Sequence, residues 1–263
     1  MSPPQGFVVA ASSFALVSCG GAAASVPPSS FLPVAPEPVH VAPRASLPPA
    51  IPEASAPPAP PPPPTVDGCP GDMVAIGGFC VDRYEAPNVK GELPFALQTA
   101  YDGEAWCAER GKRLCTQDEW VRACEGPKAT PFPYGATYRD GVCDDDKGWI
   151  TVHWKALARW PHDAALDEAT RLFQADMSGA RAGCVSAEGV YDLAGNVAEW
   201  VRKTAPTKPG YDHVLKGCYW AACFKDAQAS CTFTNGAHPG TFRTYEAGFR
   251  CCTRRVSAVT SGP

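Results

Sequence analysis

The chain has 263 residues, 23 Lys plus Arg against 27 Asp plus Glu, and a formal net charge of -4. It has no basic run to track a phosphate backbone, which excludes nucleic acid as the expected partner. Thirteen cysteines with no Cys-x-x-Cys pair argue against a reduced cytosolic metal site and for an oxidising compartment.

In chain order, Gly6 to Val17 is an apolar segment too short to span a bilayer and of the length of a signal-peptide h-region. No Lys or Arg precedes it, although a positive n-region normally does. It ends at Leu16-Val17-Ser18-Cys19-Gly20, which resembles a bacterial lipobox, so residues 1–19 are expected to be a lipoprotein-type signal peptide with lipid on Cys19. Setting Cys19 aside leaves twelve cysteines, an even number suited to disulfides. The expected location is outside the cytoplasm, as an outer-membrane or cell-surface lipoprotein held to the membrane by the anchor, with a periplasmic or secreted protein as the alternative. Residues 20–66 are Pro- and Ala-rich and end in the run Pro60 to Pro64, so they are expected to form a disordered linker that favours polyproline II. About forty such residues reach on the order of 100 Å, the span of a spacer.

Residues 67–257 read as the globular domain and 258–263 as a tail. Met73 to Gly78 predicts a strand and turn, and Phe79 to Glu85 alternates like a second strand. Thr99 to Arg110 predicts an amphipathic helix closed by Gly111. Thr116-Gln117-Asp118-Glu119 is a capping box opening a second helix, with Trp120, Ala123 and Cys124 on its buried face. Capping accounts for Glu119, so neither it nor Arg113 is read as catalytic. Asp144-Asp145-Asp146 reads as a solvated acidic turn, with calcium ligation the other reading. A third helix is expected over Asp163 to Gln174 through Ala164, Leu166, Ala169, Leu172 and Phe173. The segments Val214 to Trp220 and Ala247 to Cys252 each read as one core strand. Between them and the third helix lies Gly189 to Trp200, where Gly195-Asn196 predicts a tight turn that folds Asp192 and Glu199 toward each other. Short strands, a few helices and long connections amount to an α+β, disulfide-rich domain.

Five stretches carry a resemblance to the formylglycine-generating enzyme family, the sulfatase-modifying factor domain: Asp82 to Asn88, Gly111 to Trp120, Phe132 to Gly135, Gly189 to Trp200 and Gly248 to Arg250. They run in the family's order from Met73 to Cys252. The resemblance implies a C-type-lectin-like fold with little regular secondary structure. It implies a structural calcium ion at the Gly195-Asn196 turn, held by the Asp192 and Glu199 carboxylates and by backbone oxygens of Gly195 and Val197. Enzymes of the family oxidise a substrate cysteine with copper held by two cysteines. In this sequence those positions fall on Ala222 and Ala227, and alanine does not bind copper.

Cys218 and Cys223 keep the pair's spacing but sit four positions too early, and read as disulfide halves. The expected function is therefore an exported binding or scaffold module whose cleft takes a peptide or glycan. The alternative is a copper-dependent oxidoreductase modifying a protein cysteine through Cys218 and Cys223. An oxidising enzyme centred on His238 or Tyr245 is the third reading. His153, His162, His213 and His238 form no helical i, i+4 pair, so the family's histidine-rich iron site is not expected.

Overall fold

The computed structural model describes residues 65–204, 211–221, 223 and 227–256. Cys19, where lipid is expected, the expected linker up to residue 64, the expected tail and Ala222 lie outside them.

The domain opens with two short pairings. β1 (Thr65–Val66) pairs with β2 (Cys69–Pro70), and β3 (Met73–Ile76) pairs antiparallel with β4 (Phe79–Asp82). α1 (Ala100–Glu109) starts at Thr99, whose hydroxyl accepts from the Asp102 amide while the Asp102 carboxylate receives the Thr99 amide. This capping box was not foreseen, because Asp stands where Glu or Gln is the usual sign. After β5 (Arg113–Leu114), α2 (Gln117–Glu125) carries the expected box. Thr116 serves the Glu119 amide, and the Glu119 carboxylate receives both the Thr116 amide and the Arg113 guanidinium at 2.6 and 2.7 Å. Trp120, Ala123 and Cys124 are buried as predicted.

The short α3 (Trp154–Leu157) precedes α4 (Asp163–Leu172). The buried face of α4 is Ala165, Glu168, Ala169 and Leu172, rotated from the expected one. Glu168 enters that face because its carboxylate receives the Arg171 guanidinium and the His153 amide, which replace its water.

Two four-stranded sheets organise the rest. One has the order β3-β4-β10-β5 and the other β8-β7-β6-β9, with β6 (Ala198–Arg202), β7 (His213–Lys216), β8 (Thr234–Asn235), β9 (Ala247–Phe249) and β10 (Cys251–Arg254). β9 pairs parallel with β6, while β10 pairs antiparallel with β4 and β5. The segment read as one strand over 247–252 is therefore two strands in different sheets. The chain changes sheets at Arg250. Likewise the strand expected over 214–220 ends at Lys216, because Gly217 and Cys218 have φ of +81° and +68° and leave the extended region.

All twelve cysteines among the described residues are paired. Cys107–Cys251 and Cys115–Cys252 tie α1 and the start of α2 to the two residues that follow Arg250. Cys69–Cys80, Cys124–Cys231, Cys143–Cys184 and Cys218–Cys223 complete the set. On loop-closure entropy the bonds spanning 144 and 137 residues contribute most, about 5 kcal/mol each, and the one spanning 5 residues least, about 2 kcal/mol. The α+β, disulfide-rich architecture expected from the sequence is the one observed.

Candidate functional site

Two neighbouring places hold the residues singled out by the sequence. The first is the turn before β6. Gly195 and Asn196 have φ of +80° and +54°, as the tight turn requires. A Cβ at Gly195 would stand 2.2 Å from the Asp144 carbonyl oxygen, so only glycine fits. The Asn196 amide donates to that same carbonyl at 2.7 Å, and the Asn196 carbonyl receives the Trp220 amide at 2.9 Å. Asp144 is thus a buried partner of the turn, and the reading of Asp144 to Asp146 as a solvated turn is corrected. Its carboxylate receives the Asp176 amide, Lys147 and Arg181. Only Asp146, paired with Arg181 at 2.9 Å, is exposed.

Beneath the turn, Glu199 and Arg250 form a fully buried ion pair, Nε to Oε2 and Nη2 to Oε1, both at 2.7 Å. Trp120 Nε1 donates to Glu199 Oε2 at 2.9 Å, and Arg250 also reaches the carbonyl of Tyr191. Glu85, buried and not identified as a site residue in the sequence, receives Asn196 Nδ2 at 2.7 Å and the Val197 amide at 3.2 Å. Burial holds the Glu85 carboxyl well above its usual range, and the charges of Asp192 and Glu199 push the same way. Asp192 receives the Gly179 amide at 2.7 Å, and burial raises its carboxyl to about 6.

The turn does draw Asp192 and Glu199 into one electrostatic neighbourhood. The donor set does not fit the expected calcium cage, however. Both Glu199 oxygens are engaged by Arg250, and Trp120 takes a second position on Oε2. Arginine supplies here the countercharge of Glu199, one of the three carboxylates gathered at the turn.

The second place is a cavity of about 950 Å³ on the other side of β6, reached through Ala198 and Leu215. Cys218, Cys223, His238 and Tyr245, the four residues named from the sequence as candidates for chemistry, all line it. Cys218 and Cys223 are bonded to each other, so neither offers a thiolate to copper in this state. Ala227 is exposed. His238 stacks on Phe242 with ring centroids 3.9 Å apart, and burial lowers its pKa, which keeps the ring neutral at pH 7. Tyr245 is buried, shares a hydrogen bond with Tyr219, and is held protonated by burial and by the Glu246 charge. Arg243, the charge nearest His238 in sequence, turns away to the Leu97 carbonyl and Asp102.

Glu246 also faces the cavity. Its Oε2 receives the Thr244 hydroxyl at 2.6 Å, and burial pushes its carboxyl up to about 7. The outer wall, Trp149 and Trp154, had no sequence signal, because Trp149 sits in irregular chain and Trp154 opens α3, a helix of only four residues. A smaller depression of about 280 Å³ beside Glu125 and Tyr134 contains none of the candidate residues.

The family model described as the sulfatase-modifying factor enzyme 1-like domain matches residues 73–255. The protein named inactive C-alpha-formylglycine-generating enzyme 2 from Mus musculus is 30% identical over 167 residues, covering 62% of this chain and 49% of its own length. Its counterpart from Bos taurus is 29% identical over 166 residues, covering 62% and 50%. The chain thus spans about half the length of these relatives. Among solved structures, CarF superposes with a TM-score of 0.48 at 14% identity, covering 68% of this chain and 87% of its own. PvdO from Pseudomonas aeruginosa does so with 0.43 at 18%, covering 68% and 80%.

Three outcomes are expected. Arg250→Met leaves a buried carboxylate without its countercharge, a loss of about 3 to 5 kcal/mol, and should lower the melting temperature by about 10 °C. Chelation with EGTA should leave the wild-type melt in place, whereas a fall of several degrees together with bound calcium on elemental analysis would restore the ion to this turn. For Glu246 the folded pKa lies above the ordinary carboxylate value. Its contribution to stability is therefore complete below about pH 4.5 and is lost as the pH rises through about 7. Measured against Glu246→Gln, the wild type should melt relatively higher at pH 5 than at pH 8. An unchanged difference would contradict this.

Proposed function

Because the chain belongs to the sulfatase-modifying factor enzyme 1-like family, we propose that its domain is a ligand-binding module of that family that does not generate formylglycine. The observation that carries this reading is the sulfur chemistry of the cavity. The copper-cysteine positions implied by the family's motif fall on Ala222 and Ala227, and the two sulfurs in the cavity wall are joined to each other. Copper chemistry of this kind needs thiolates, which a cystine lacks. The relatives carry the word inactive in their names, which is in keeping with this reading.

What remains is a space of about 950 Å³, within the size range of ligand pockets, with apolar walls and a few polar groups that fix orientation. Its occupant on this reading is a peptide or a glycan. The module is exported and tethered through lipid on Cys19, with the Pro-rich segment as spacer, which places the cavity away from the membrane. The support for this part is in the sequence: the segment Gly6 to Val17, the lipobox-like end at Cys19, and twelve further cysteines suited to an oxidising compartment.

The second reading, a copper-dependent oxidoreductase, requires Cys218 and Cys223 to be reduced first. Incubating copper-loaded protein with a Cys-x-Pro-x-Arg peptide and trapping aldehyde with a hydrazine reagent separates the two. No aldehyde is expected with or without prior reduction. Aldehyde that disappears in a Cys218→Ser, Cys223→Ser variant would overturn the binding reading. In the expressing bacterium, the full chain should partition with membranes and Cys19→Ser should release it; an unchanged partition would remove the anchor.

A further inference from the structure

We propose that the cavity beside β7 and β8 is a saccharide site, in which the faces of sugar rings lie against Trp149 and Trp154 and their hydroxyls bond to Asn235, His238 and Glu246. This rests on the binding reading above and names its ligand class.

The argument begins with exposure. Trp149 and Trp154 are 60% and 57% exposed, and both stand at the edge of the same cavity. Two indoles left in water have given up the burial that usually holds a tryptophan in place. Neither belongs to a core cluster, and a flat apolar ring with a polar rim suits the C–H face of a pyranose.

The polar groups facing them decide between ligand classes. His238 is kept neutral, and its recorded partner is the ring of Phe242. Asn235 accepts the Ala237 amide through Oδ1 at 3.1 Å, which directs its Nδ2 donors elsewhere. Glu246 holds Thr244 with one oxygen. An imidazole, an amide and a carboxyl each have donor or acceptor capacity to spare, and none of them is a fixed positive charge. That set matches the mixed donors and acceptors of sugar hydroxyls.

An organic cation is served less well. Among the described residues lining the cavity Glu246 is the one acidic group, and the Thr244 hydroxyl already occupies one of its oxygens, so a cation would find a single partly engaged carboxyl. An extended peptide is also served less well. The sheet edge at the cavity is β8, only two residues long, so a peptide strand added there would find almost no ladder to join. The volume, about 950 Å³, is within the range that encloses a ligand of several rings.

The test uses the full chain on an array of neutral oligosaccharides, followed by calorimetry with the best binder. Tetramethylammonium and an alanine-rich peptide serve as controls. Saccharide binding is expected. It should fall at least tenfold in Trp154→Ala and Trp149→Ala, whose exposed positions leave folding intact, as their melting temperatures will show. Glu246→Ala should weaken it more than Glu246→Gln, which keeps an acceptor and gains a donor.

Saccharide binding that is indifferent to both tryptophans would overturn the site. Tryptophan-dependent binding of the peptide or of tetramethylammonium with none of saccharide would overturn the ligand class while leaving a binding module. An array on which nothing binds would overturn the proposal itself, and only the aldehyde assay bears on whether the domain is an enzyme.

Discussion

The buried pair of Arg250 and Glu199 holds the domain's two four-stranded sheets to one another. Arg250 is the single residue between β9 and β10, where the chain leaves one sheet for the other, and Glu199 lies on β6. Its guanidinium meets both oxygens of Glu199 and also reaches the carbonyls of Asp82 and Tyr191. Two disulfides fix Cys251 and Cys252 directly after it. A buried ion pair is poor evidence of net stability, because desolvation offsets much of its attraction. Its value here is positional: with the arginine placed, both strands and the turn before β6 have one register.

The consequences for function follow from strand alternation. On β6, Glu199 points to the arginine while Ala198, its neighbour, lines the cavity on the opposite face. On the proposed reading the acidic turn is a support and the cavity the binding surface. Glu85 and Asp192 crowd negative charge around a single guanidinium, and the strain of that crowding falls on their protonation. The cavity is built differently. Among the described residues its wall holds a cystine, a histidine whose pKa burial lowers, a buried phenol and one carboxyl raised to about 7.

Much of this was legible in the residues. The capping box at Thr116, the turn at Gly195-Asn196 and the buried face of α2 all follow from local chemistry that tertiary contacts did not override. The five family stretches gave the domain its extent, and Cys218, Cys223, His238 and Tyr245 did come together in one cavity. Other features were hidden because they depend on partners distant in sequence. Ala247 to Cys252 has the apolar pattern of one strand, and nothing local marks Arg250 as the crossing. Glu85 is an ordinary acid until Asn196, 111 residues later, donates to it. Trp149 and Trp154 lie in chain with no periodicity to read, so their place on the cavity rim emerged only from the fold.

Copper binding tests the central claim most directly. The two described sulfurs of this cavity are joined as a cystine, which leaves copper no thiolate from Cys218 or Cys223. Titrating the oxidised, full-length protein with Cu(I) against a competing chelator should show no tight equivalent, and peptide mapping without reduction should recover Cys218 joined to Cys223. One tightly held copper per chain, lost in Cys218→Ser, Cys223→Ser, would contradict the account and return the domain to the oxidoreductases.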